Sequence, residues 1–236
     1  MQQLGQTRSS HQPDHLLLTP DTFVRAPLPG MRKATAVVHV SPARGARFPW
    51  YTAEFEPGGT LGHSAEQRFV YVVEGSVEVA GRALGVNEYA YLPEGCAQPV
   101  TARGAARAAV IEKPYRELEG VASPALLING EAAVEAKALG GDPGLLVRGL
   151  LPDQPAFDFA VNTMTYQPGA ALSMVEMHVM EHGLLMLEGG GIYRLGDRWY
   201  PVTAGDFIWM APWCPQWFGA LGKAPAKYII YKDWNR

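Results

Sequence analysis

The 236-residue sequence predicts an all-β chain carrying two antiparallel β-barrels in tandem. Three observations point that way. Short apolar, β-branched segments recur along the whole chain, and turn residues separate them, in keeping with 26 glycines and 19 prolines. Many short strands at such spacing read as a sandwich or barrel. The series of segments in the first half then recurs in the second, and repetition of a whole strand series implies two homologous units.

The predicted strands of the first half cover residues 35–40, 69–73, 76–79, 89–92 and 108–111. Those of the second cover 159–166, 184–187, 191–195, 207–210 and 227–231. Turns fall at Pro57-Gly58-Gly59, Glu74-Gly75, Pro93-Glu94-Gly95, Pro168-Gly169, Glu188-Gly189 and Gly196-Asp197. FVYVVEG at 69–75 parallels GLLMLEG at 183–189, and each half closes on a strand carrying a lysine, Lys113 or Lys232. The expected organisation is an N-terminal barrel over 1–115, a connector over 116–155 and a C-terminal barrel over 156–236. A helix-like stretch, GEAAVEAKAL at 130–139, is assigned to the connector, and the first 30 residues are assigned to the N-terminal barrel.

Composition excludes several function classes. At 47% hydrophobic and 18% charged, the chain can bury a core and does not resemble a disordered one. A net charge of -3 without a Lys/Arg cluster predicts no nucleic-acid or anionic-membrane partner. Cys96 and Cys214 are too few for a disulfide framework, and the apolar run Leu16-Leu17-Leu18 is too short for a signal or a span. Both observations predict a cytoplasmic protein.

The chemistry concentrates in the second half, where Glu176-Met-His178-Val-Met-Glu-His182 leads into Leu184-Leu-Met-Leu-Glu-Gly189. On a strand, residues of equal parity share a face, so Glu176, His178 and His182 can all point into the barrel. Met177 and Val179 then point outward into packing. Gln216 follows the predicted 207–210 strand, where the opposite wall returns, and its amide oxygen completes the set. Two imidazoles, a carboxylate and an amide oxygen suit Mn²⁺, Fe²⁺, Ni²⁺ or Zn²⁺, whereas the lack of thiolate argues against a structural zinc site. Tyr228 and Lys232, at i and i+4, share a face of the closing strand, where they can bind substrate. Tyr193 is a further candidate for the pocket wall. The aromatics Trp209, Trp213, Trp217 and Phe218 around Gln216 are read as packing.

These motifs resemble those of the cupins. Glu176 stands at the first histidine of the usual first motif, His178 at the second, His182 at the glutamate and Gly189 at the closing glycine. In the second motif Gly205 matches, Ala211 replaces proline, Trp213 replaces glycine, and Gln216 stands at the histidine. That permutation, with EMHVMEHGLLMLEG, GDFIWMAPWCPQWF and YIIYKDWNR, resembles the ureidoglycine aminohydrolase family of bicupins, and the likeness extends through TPDTFVRAPLPG and TAVVHVSPARGARF. The resemblance implies a bicupin hydrolase that binds Mn²⁺. It would release ammonia from (S)-ureidoglycine to give (S)-ureidoglycolate in purine-ureide breakdown, as a homo-oligomer. It also strengthens the substrate-binding reading of Lys232 and Tyr228. In such a site the substrate's carboxylate and α-amine chelate the metal, Glu176 relays a proton, and Lys232 binds the carboxylate or ureido oxygen.

The first half serves as an internal control. Counting back from Gly75 puts Gly62, Ser64 and Arg68 at the positions of Glu176, His178 and His182, leaves Gln98 opposite Gln216, and sets Ala109 at Tyr228. His63 is off by one residue and a cation at Arg68 repels a metal, so the N-terminal barrel is expected to be metal-free. Two alternatives stand beside the aminohydrolase reading. One is another bicupin metalloenzyme, such as a dioxygenase or decarboxylase. The other is a non-catalytic small-molecule-binding bicupin.

Overall fold

The computed structural model describes residues 6–233 as strands joined by turns, with three short 3-10 segments among them. The chain divides into two compact units: residues 23–133 with 154–157, and a second unit comprising the segment up to Thr22, 134–153 and 158 onward. No described helix is long and apolar enough to cross a membrane.

The C-terminal unit holds an eight-stranded antiparallel sheet. His182–Glu188 lies between Phe207–Met210 and Ala226–Asp233, and Phe159–Tyr166 flanks the latter. A three-stranded sheet of Arg198–Thr203, Gly190–Leu195 and Gln216–Ala220 completes it. Tyr166, Tyr193, Phe218, Tyr228 and Ile230 belong to one buried apolar cluster here. In the N-terminal unit Ala106–Lys113 lies between Gln67–Glu74 and the long strand Trp50–Leu61, over a core of Leu61, Val77, Val100 and Ala108. Gly75 and Gly189 take φ of 69° and 65° at matching turns. A Cβ at either would collide with a carbonyl, of Ala105 or of Pro225, so the duplicated glycines are sterically required.

Three expectations need correction. The first concerns the N-terminal segment, which does not join the N-terminal unit: His15–Leu18 pairs with Phe207–Met210 in the C-terminal one. The apolar His-Leu-Leu-Leu run covers a sheet edge that would otherwise expose its backbone groups. The second concerns the 130–139 stretch, which is not helical. Leu127–Gly130 pairs with Glu88–Leu92, a 3-10 turn follows at Glu131–Ala133, and Lys137–Leu139 pairs with Asp142–Gly149. Helix propensity in ten residues is a weak preference, and left-handed Gly140 and Gly141 turn the chain back as a hairpin. The presumed connector therefore supplies strands to both units. Last, Trp50–Leu61 is a single 12-residue strand absent from the expected series, because Pro57-Gly58-Gly59 reads as a turn yet lies within it.

Candidate metal and substrate site

The predicted ligands meet in one cavity of about 290 Å³ in the C-terminal unit, lined by Glu176, His178, His182, Gln216, Tyr193, Tyr228 and Lys232 among others. Unbroken strand parity does not bring them there. His182 opens the strand His182–Glu188, whereas Glu176 sits outside any strand and is held by a two-residue bridge to Gln216. Paired backbone bonds of 2.8 and 2.9 Å between Glu176 and Gln216 fix two of the predicted ligands to each other. The Trp213 amide donates to the His178 carbonyl at 2.6 Å, anchoring the third. Trp213 itself has φ of 68°, a left-handed conformation at the position where the usual motif carries glycine. Met177 and Val179 do point away from the cavity, but they are exposed instead of packed within the chain.

His178 Nε2 lies 3.2 Å from a Glu176 carboxylate oxygen, and the His178 and His182 rings are 5.3 Å apart. His182 Nδ1 is buried without a hydrogen-bond partner. Burial pushes the His182 imidazole down to about 3, with Lys232 and His178 adding to the shift, so it stays neutral and able to donate a lone pair. An orphaned buried nitrogen on a neutral imidazole, beside a carboxylate, a second imidazole and an amide oxygen, fits a divalent metal.

The opposite wall is phenolic and cationic. Tyr193 donates to Gln216 Oε1 at 3.3 Å, and the Tyr166 and Tyr228 hydroxyls are 2.7 Å apart. Burial raises all three phenols, so they remain neutral hydrogen-bonding groups. Lys232, half-buried, stands opposite His182 in the strand register. Burial lowers its ammonium from the ordinary value, and the Glu176 carboxylate partly restores it. Trp209 donates to Glu181 at 3.1 Å and does not line the cavity.

Strand register also revises the internal control. Arg68 pairs with Glu112 where His182 pairs with Lys232, so Glu112, not Lys113, stands at the lysine position. By the same register Ala108, not Ala109, replaces Tyr228. Leu61 pairs with Val100 as Glu176 pairs with Gln216, and both are fully buried aliphatics. Gly62 and Gln98 are thus not the equivalents, and Gln98 and His63 are exposed. Counting along sequence misses by one or two residues wherever the loops differ in length, and in a strand one residue flips the face.

A cupin-domain profile matches residues 162–231, most of this unit. The chain is 40% identical to the (S)-ureidoglycine aminohydrolase of Arabidopsis thaliana, over 98% of this chain and 80% of that one. The chain belongs to that family. Its member from Escherichia coli (strain K12), of the same name, is 30% identical over 93% of this chain and 88% of that one. The crystal structure of protein Ylba from E. coli superposes with a TM-score of 0.86 at 28% identity, covering 98% and 96% of the two chains. Family membership makes the chain an enzyme.

Several lining residues escape the motif reading. Asn162 and Met164 line the cavity from Phe159–Tyr166, and Tyr166 holds the Tyr228 hydroxyl. Period-two alternation along that strand puts 162, 164 and 166 on one face, a signal available once any one of them is assigned inward. A second cluster, Asp14, His15 and Cys214, brings its potential ligand atoms within 4.8 Å of one another. There the His15 nitrogens are 2.8 Å from Asp14 and from the Tyr200 hydroxyl, and burial pushes the Cys214 thiol up to about 12. This group ties the N-terminal strand to the loop carrying Gln216.

Proposed function

We propose that the chain is a metal-dependent hydrolase converting (S)-ureidoglycine and water to (S)-ureidoglycolate and ammonia. One observation carries the reading: Glu176, His178, His182, Gln216 and Lys232 converge on a single small cavity in a chain 40% identical to an (S)-ureidoglycine aminohydrolase. A C–O bond forms to water as the C–N bond to the α-amine breaks, with one proton passing from water to the leaving group.

Glu176, His178, His182 and Gln216 would hold the divalent metal, with Mn²⁺ as the expected ion. When bound, it supplies a Lewis acid and an anchor for an α-amino acid's chelating groups. The Glu176 carboxylate, about a third exposed to the cavity, accepts the proton of the attacking water and returns it to the departing amine. Lys232 offers a half-buried cation to the substrate's carboxylate or ureido oxygen, where a dielectric below that of water strengthens the attraction. The Tyr228 and Tyr193 hydroxyls keep the Gln216 side of the cavity polar without adding charge.

The N-terminal unit is proposed to bind no metal, because Leu61, Val100 and Arg68 stand where three ligands stand in the other. A homo-oligomer is the proposed assembly. Met174, Met177, Val179 and Trp213 form exposed apolar surface in and beside the ligand segment, and such surface favours association. The cytoplasm is the proposed compartment.

The test is ammonia release from freshly prepared (S)-ureidoglycine by the Mn²⁺-loaded chain, with oxygen uptake followed in parallel. Stoichiometric ammonia and ureidoglycolate without oxygen uptake are expected. Oxygen consumption, or no ammonia above the spontaneous rate, would overturn the proposal in favour of another bicupin chemistry or a binding role.

A further inference from the structure

Outside the ligand cavity lies a second one of about 440 Å³, and the two share Val147, Asn162 and Lys232 in their walls. Asn162 and Lys232 therefore stand at the neck between them. They lie on neighbouring strands, Asn162 opposite Ile230, so Lys232 is its diagonal neighbour on the same face. Among the described residues the Asn162 amide makes no hydrogen bond, whereas the Tyr193 and Tyr228 hydroxyls on the wall are already engaged. Asn162 is thus the neutral side chain at the neck whose donor and acceptor capacity is unspent.

The N-terminal unit shows what this position does when no ligand is received. Tyr51 pairs with Val110 as Asn162 pairs with Ile230, so Tyr51 is the equivalent of Asn162. Its hydroxyl donates at 3.1 Å to Glu112, the equivalent of Lys232, and its ring belongs to the buried core. One large phenol there fills the space and bonds across it. In the C-terminal unit a shorter amide leaves the gap open beside a cation.

Resting on the proposed function, we infer that Asn162 is a specificity-determining residue that reads the ureido group at the neck. Its amide presents one acceptor and two donors. A ureido group presents the complementary carbonyl acceptor and N–H donors, and Lys232 beside it adds a charged donor to the carbonyl oxygen. A buried polar group left without its partner is what rejects an analogue that lacks the matching atoms.

The experiment compares two ligands of the metal-loaded chain by calorimetry: (S)-ureidoglycolate, which carries the ureido group, and glycolate, which shares its hydroxy-acid end alone. Asn162→Leu is expected to weaken ureidoglycolate at least about tenfold, the size of one lost hydrogen bond to a buried partner, and to leave glycolate within about twofold. Asn162→Ser, which adds no apolar bulk, should give the same split if the leucine variant folds poorly. Equal loss for both ligands, or no loss for either, overturns the role of Asn162. If the unaltered chain binds glycolate but not ureidoglycolate, the proposed function itself falls and the inference with it.

Discussion

In the N-terminal unit Arg68 and Glu112 face each other across two paired strands, with a guanidinium-to-carboxylate distance of 2.6 Å and a second bond from Arg68 to the Gly62 carbonyl at 2.7 Å. In the C-terminal unit the same two positions are His182 and Lys232. A neutral imidazole thus stands where the guanidinium is, and an ammonium where the carboxylate is. Where the C-terminal unit gathers two imidazoles, a carboxylate and an amide oxygen, the N-terminal one supplies its own cation and seals the place with Leu61, Val100 and Tyr51. A duplicated scaffold can thus keep its packing while one copy specialises. The copy without the donors holds an ion pair and aliphatic side chains in their place.

Variants of matched positions can break this comparison. His182→Ala is expected to have the largest effect. Loss of an outer-shell partner alone costs 10–100-fold in metal affinity or activity, so loss of a ligand should cost more than about 100-fold in both; elemental analysis and ammonia release would fall together. Lys232→Met should keep the metal and lower turnover by about 100-fold, since one charge-stabilising donor is worth that much; normal turnover would remove Lys232 from the mechanism. Arg68→Met leaves Glu112 as a half-buried carboxylate that keeps the Tyr51 hydroxyl and loses its counter-charge. It should destabilise the N-terminal unit by about 2–4 kcal/mol in urea unfolding, with metal content unchanged.

The smallest effect is a pH dependence. His39 is buried, 2.8 Å from the Thr52 hydroxyl, and burial, with the Arg107 charge, pushes its imidazole down to about 3. The unfolded chain, with an ordinary imidazole near 6.5, binds more protons between those values, so this stability is present above pH 6.5 and is lost as pH falls toward 3. Between pH 7 and pH 5.5 the loss due to His39 should amount to about 1 kcal/mol, and His39→Gln should remove that contribution.

Much of this was legible in the residues. The strands 159–166 and 207–210 match the expected bounds, because their β-branched and aromatic runs are closed by turn residues on both sides. The duplication was visible in FVYVVEG and GLLMLEG, whose glycines are dictated by a carbonyl that leaves no room for a side chain. That Glu176, His178, His182 and Gln216 share one cavity was readable too, as chemistry concentrated in one short segment, although the bridge from Glu176 to Gln216 gathers them and not an unbroken strand. What stayed hidden is long-range. Nothing local says that His15–Leu18 crosses to the strand Phe207–Met210, or that Glu112 takes the place of Lys232. Partner choice and register are set by pairing between residues far apart in sequence, Arg68 with Glu112 and His15 with Met210. Asn162 went unseen for the same reason, since a lone asparagine on a strand gains meaning only from the cavity it faces. The YIIYKDWNR motif was read to its end, but Trp234, Asn235 and Arg236 lie outside the described residues.

The central claim, one metal-loaded unit and one self-sealed unit per chain, is tested most directly by metal stoichiometry on the full chain and its His182→Ala and Arg68→Met variants. One divalent ion per unaltered chain is expected, none in His182→Ala and one in Arg68→Met, with ammonia release following the ion. Two ions per chain, or full turnover after the metal is stripped, would contradict it.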